Sequence, residues 1–161
     1  MSKELRIKNV HIHEFCGWLN DLYLEPIASR IRTTFIEMCT NHLNNYVEKE
    51  RIEIVRKYAS KDEEGNPIMI LDAQGRKLYD IPPEKNAEMN VEYNELLQGD
   101  FIIQIDDKNV EMIKIIKKIV LEPEYRFGPR EGDPMNIKKA KVELSTKYNE
   151  WCKAFSGLEL E

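Results

Sequence analysis

Ile31, Phe35, Met38, His42 and Tyr46 recur at every third or fourth position, and Cys39, Leu43 and Val47 widen the stripe. This spacing returns to one side of an α-helix, because successive residues turn by about 100°. It predicts one long helix from about residue 27 or 29 to Ala59. At ~1.5 Å per residue, such a helix crosses a whole small domain or reaches toward a partner. The polar run EKERIE exposes its far half on three sides, while Ile52, Val55 and Tyr58 restore an apolar edge.

The other elements follow from shorter patterns. ELRIK (4–8) alternates and predicts a strand. Ile12, Phe15, Cys16, Leu19, Leu22 and Tyr23 mark a helix that Glu25-Pro26 ends, since the residue before proline is pushed out of the helical region. KDEEGNP (61–67) is a turn. IMIL (68–71), DAQG and RKLYDI (76–81) predict a hairpin. Residues 84–98 read as a helix with Met89, Tyr93, Leu96 and Leu97 inside and Gly99 as its cap. FIIQI (101–105) reads as a strand that pairs with the hairpin, and Asp106 or Asp107 caps a helix to about Leu121. EPEYRFGPREGDP (122–134) is a loop. Asp133 and Pro134 open a last helix with the stripe Ile137, Ala140, Leu144, Tyr148, Trp151 and Phe155. The expected fold is mostly α (α+β): one domain over 1–161, a bundle of about five helices including one long one, with a small antiparallel β-hairpin near 67–81.

Length and composition bound the function. A chain of 161 residues with 42% hydrophobic residues buries a real core. Its 24 basic and 29 acidic residues give a net charge of −5, which argues against general nucleic-acid binding. Three widely spaced cysteines, Cys16, Cys39 and Cys152, make a poor disulfide framework and suit reduced thiols. No segment approaches the roughly 20 apolar residues that span a bilayer, and the start lacks a signal-like apolar run.

Few residues resemble chemistry. His13 and Cys16 lie three apart, as do Cys39 and His42, and an antiparallel helix pair would bring the four level. They would supply a Cys₂His₂ zinc-type set. Cys16, Cys39 and His42 also lie in or beside apolar stripes, where cysteine acts as a small hydrophobe. Packing is therefore the reading adopted, with no metal and no cofactor. Arg30 and Arg32 are candidate anion-binding residues, since guanidinium donates paired hydrogen bonds. Lys114, Lys117 and Lys118, with Lys138, Lys139 and Lys141, read as solvated helix sides. The acidic turn Asp62, Glu63, Glu64 fails as a calcium loop because its twelfth position is Ala73. No phosphate loop, nucleophile elbow or paired-carboxylate motif appears, and no catalytic residue is assigned. Tyr125, Arg126, Phe127 and Arg130 have the composition of an interface hot spot and are the candidate partner-binding residues.

Ser29, Arg32 and Phe35 in SRIRTTF, then YASKDEEGNPI (58–68), Tyr79-Asp80-Ile81, and Tyr93 with Leu96-Leu97 before FII, stand in an order that resembles a family of small uncharacterised proteins of bacteriophages and prophages. The resemblance covers roughly residues 10–120. It implies origin rather than mechanism, because that family offers no catalytic residues to transfer.

The expectation is a non-catalytic, phage-encoded binding module acting by protein–protein interaction, blocking a bacterial anti-phage defence factor. The alternatives are a virion assembly or tail-associated component, and an oligomeric sponge for an anionic nucleotide signal. Expected partners are a host or phage protein and further copies of the chain, with no membrane and no nucleic acid. The expected location is the cytoplasm of the infected bacterium, or the virion.

Overall fold

Glu4–Lys8 forms β1, whose alternation turns Leu5 and Ile7 inward and Arg6 and Lys8 outward. The computed structural model describes residues 3–122 and 147–160. Within these, the elements are β1, α1 (Asn9–Asn20), α2 (Pro26–His42), a π-helical segment (Leu43–Val47), α3 (Glu48–Tyr58), β2 (Met69–Leu71), β3 (Lys77–Tyr79), a 3₁₀ turn (Pro83–Lys85), α4 (Asn86–Gln98), β4 (Asp100–Gln104) and α5 (Val110–Leu121). A further helix, α6, is described over residues 147–156.

The fold is mostly α with two small antiparallel sheets, and the long helical run predicted from about 27 to 59 is present as α2, the π segment and α3. Asn44 and Asn45, both weak helix formers, lie in the π segment. One pairing differs from expectation. β4 does not join the hairpin; it pairs with β1 from Glu4↔Gln104 to Lys8↔Asp100. Both strands carry an apolar side, with Leu5 opposite Ile103 and Ile7 opposite Phe101, so pairing them makes one apolar surface for the helices to cover. The hairpin pairs only within itself, Met69↔Tyr79 to Leu71↔Lys77.

The described chain divides into two compact units. One combines the chain up to Thr40 with that from Asp100 onward; the other is Asn41–Gly99. The sequence reading expects one domain with a hairpin inserted near 67–81.

The first unit is built around Phe15. Its ring lies 5.1 Å from Trp151, 5.8 Å from Phe155, 6.0 Å from Phe35 and 6.1 Å from Trp18 by ring centroid. Phe15, Phe35, Phe155, Ile113, Ile116 and Val120 are fully buried, so the stripes of α1, α2, α5 and α6 meet here. Each such side chain stabilises the fold by about 1.5–3 kcal/mol through burial. Tyr23, read as part of the α1 stripe, is 99% exposed, because α1 ends at Asn20 and the chain has left the helix.

In the second unit, α3 and α4 pack together. Tyr58 donates a 2.6 Å hydrogen bond to Glu92, and Lys57 forms an ion pair with the same carboxylate. Two turns of one design follow. Asp62 Oδ1 accepts from the amides of Glu64 and Asn66 at 3.0 and 2.8 Å, and Gly65 has φ +83°. Asp72 Oδ1 accepts from those of Gln74 and Arg76 at 2.9 and 2.8 Å, and Gly75 has φ +76°. The sequence spelling Asp-x-x-Gly twice, ten residues apart, thus has one physical meaning: a carboxylate closing a turn whose fourth residue is left-handed. Met89, Tyr93, Leu96 and Leu97, expected inside, are only half-buried.

Candidate functional site

The sequence-derived candidates separate in the structure. Tyr125, Arg126, Phe127 and Arg130 lie outside the described residues. Arg30 is exposed on α2. Arg32 is half-buried and turned onto the end of α1: its Nη1 donates to the carbonyls of Leu19 at 3.1 Å and Leu22 at 2.6 Å, and its Nη2 to Ser29 Oγ at 3.0 Å. A cation there meets the partial negative charge of a helix C-terminus, so the group read as an anion binder is engaged by carbonyl oxygens.

The four residues of the zinc-type set do not form a ligand cluster. His13 is exposed, and His42 stacks on Tyr46 with ring centroids 5.3 Å apart. Burial holds the His42 pKa below its ordinary value. Cys16 and Cys39 are buried free thiols in hydrogen-bonding contact, and the contact together with burial pushes the Cys39 thiol up. Among the described residues, no three His, Cys, Asp or Glu side chains converge as metal ligands. No helix among them is long and apolar enough to cross a membrane.

Two features of the described residues can recognise something. The first is a cleft of about 270 Å³ in the first unit. Its floor is apolar: Ile7 from β1, Phe15 from α1, and Trp151, Ala154 and Phe155 from α6. Its rim is charged, with Arg6, Lys8, His11 and Lys153 beside Asp100 and Glu150. Arg6 pairs with Glu4 and lies 3.7 Å from Asp100. Lys153 lies 2.9 Å from Glu150. The Lys153 hydrogen bond and charge, with help from His11 and Lys8, hold the Glu150 carboxyl below the usual range.

The second is the apolar surface of the second unit. In that unit the buried residues are Val47, Tyr58 and Ala59. The hairpin leaves Met69 45%, Ile70 47%, Leu71 65% and Leu78 48% exposed. Alternate residues of a strand point to opposite sides, so apolar side chains stand on both faces of this two-stranded sheet. A groove of about 250 Å³ between α3 and α4, lined by Ile54, Val55, Met89 and Tyr93 among others, adds further half-buried apolar surface.

Sequence reasoning placed Phe15, Trp151 and Phe155 in the core and did not single out Glu150 or Lys153. The cleft joins β1, α1 and α6 from distant parts of the chain, and no local spacing announces that. The hairpin carried a signal: IMIL has no polar alternation, which a half-solvated strand would show. The chain matches no protein-family model, no curated protein and no solved structure.

Proposed function

We propose that the chain is a non-catalytic binding module that works by covering a surface of another protein with its Asn41–Gly99 unit. The observation that carries this reading is the hairpin with Met69, Ile70, Leu71 and Leu78 exposed on both faces, in a unit that buries only Val47, Tyr58 and Ala59. A two-stranded hairpin is marginal in water, and contiguous exposed apolar surface marks an interaction site. A protein partner removes that surface from water and supplies the missing burial. Self-association is one form of such cover. The phage origin, and with it action against a bacterial anti-phage defence factor in the infected cell, rests on the resemblance of residues 10–120.

The test compares the native chain with an Ile70→Glu/Leu78→Glu variant that keeps the native circular dichroism. Sedimentation should give the native chain a concentration-dependent mass above its 19.0 kDa and the variant that mass alone. In a defended host, expression of the native chain should restore phage growth and the variant should not. A native chain that stays monomeric and rescues growth no better than the variant refutes the reading. Turnover of a small molecule would show an enzyme instead.

A further inference from the structure

We infer that the chain pairs with a second copy of itself through the free edge of β2, antiparallel and centred on Ile70, to make a four-stranded sheet. This rests on the proposed reading that protein covers the Asn41–Gly99 unit, and it names the cover.

Backbone hydrogen bonds define the edge. The Ile68 amide donates to the Ser60 carbonyl at 2.8 Å, the Asp80 amide to Ile68 at 2.9 Å, and the Asp72 amide to Arg76 at 2.9 Å. Ile70 stands opposite Leu78 between these bonds. One side of the strand is therefore bonded along its length, by the chain at Ser60 and by β3. In an antiparallel ladder the intervening residues turn their N–H and C=O to the other side. Those residues are Met69 and Leu71, whose amides and carbonyls have no backbone partner among the described residues.

The two edges of the hairpin differ. β3 carries Lys77 and soon meets Pro82 and Pro83, and lysine and proline keep further strands from adding. β2 carries neither: it is Met69, Ile70 and Leu71, which are 45%, 47% and 65% exposed.

The free edge is complementary to itself. With Ile70 on a two-fold axis, Met69 of each copy faces Leu71 of the other, and their outward groups meet in four N–H···O bonds. Pro67, which has no N–H, falls outside these bonds. The charges fit as well. Asp72, the only charge within 66–72, faces Ile68 of the second copy and is already paired with Arg76 at 2.7 Å. On one face, Leu78 and Ile70 of both copies form an unbroken apolar row across the four strands. A sheet of three or more strands with an apolar face meets the condition for stability in water that a lone hairpin misses.

The experiment follows amide hydrogen exchange of the isotope-labelled full chain by NMR, from dilute solution to about 1 mM, a range suited to the weak dimer that so short an edge makes. The Met69 and Leu71 amides should slow several-fold with concentration, whereas the Ile70 amide, bonded within the hairpin, should be slow throughout. Leu71→Pro removes one outward N–H per copy and spares the hairpin's own bonds. It should weaken self-association in sedimentation at least about tenfold. Leu71→Val keeps the N–H and should associate within a few-fold of the native chain. Self-association with the Met69 and Leu71 amides still exchanging freely overturns the edge pairing and leaves side-chain cover of the unit standing. Equal loss in Leu71→Pro and Leu71→Val does the same. A chain that stays monomeric at about 1 mM also overturns the pairing, and phage rescue then judges the wider reading separately.

Discussion

Arg32, on α2, donates a 2.6 Å hydrogen bond to the carbonyl of Leu22, just past the end of α1, and a 3.1 Å bond to Leu19 within its last turn. One guanidinium thus gathers carbonyls at the end of α1, where that of Leu19 also accepts from the Leu22 amide at 3.3 Å. Arg32→Ala should destabilise the first unit by about 2 kcal/mol, the scale of hydrogen bonds from a charged donor. Arg32→Lys should recover little of it, because an ammonium on a flexible stem does not reproduce the planar fork. Urea denaturation followed by tryptophan fluorescence reads both, since Trp18 and Trp151 belong to this unit. A stability within 0.5 kcal/mol of native for Arg32→Ala would be too small for this role, given that ordinary surface changes fall in about that range.

The paired turns make a second prediction. Gly65 and Gly75 are left-handed, with φ of +83° and +76°, and each has open space where a Cβ would stand. The cost of Gly65→Ala or Gly75→Ala is therefore backbone strain alone, about 1–2 kcal/mol each. Asparagine, which tolerates this conformation, should cost less at either position. Thermal denaturation of the four variants checks the order, and equal losses for alanine and asparagine would contradict the strain argument.

Acid should weaken the α3–α4 contact before it weakens the aromatic core. Hydrogen bonds from Lys57 and Tyr58 hold the Glu92 carboxyl below its ordinary value of 4.5. A depressed carboxyl contributes stability above its unfolded value and loses it as pH falls through the lower folded value. The window therefore opens near pH 4.5 and extends downward. Glu92→Gln should flatten the loss of stability below that pH and lower the plateau slightly at neutral pH, where an exposed pair contributes little. Hydrogen exchange of α3 amides between pH 3 and 6 measures it. An identical pH profile in the variant would remove Glu92 from the account.

The three thiols should react in a fixed order. Cys152 is partly exposed, whereas Cys16 and Cys39 are buried together. The neighbouring Cys16 sulfur and burial raise the Cys39 thiol, and the thiolate is the reactive form. With a disulfide reagent at pH 8, Cys152 should be labelled first. Cys16 and Cys39 should follow at least tenfold more slowly, on the time scale of opening of the fold. Labelling of all three at one rate would mean that the α1–α2 contact is open in solution.

The helices were legible from local chemistry. Ile12, Phe15 and Leu19 define α1, but its end was misplaced: α1 stops at Asn20, and Pro26, expected to end it, is the first residue of α2, where proline's missing N–H costs nothing. The twin Asp-x-x-Gly turns were equally readable, since an aspartate carboxylate and a glycine three residues apart act within a few ångströms of backbone. The candidate sites were less so. Arg32 is visible in the sequence as a cation, but not the carbonyls of α1 that receive it. The Cys16–Cys39 contact was anticipated by counting from the helix turn, while convergence with His13 and His42 did not occur.

What the sequence by itself determined is therefore what neighbours along the chain decide: helix faces, turns, the alternation of β1, and the apolar character of residues 68–71. The tertiary structure alone decided that β4 pairs with β1, that Phe15 meets Trp151 and Phe155 under a charged rim, and that the hairpin's apolar side chains stay in water. The physical reason is that periodicity states which side of an element is apolar, but whether that side is covered, and by what, depends on groups far away in the chain.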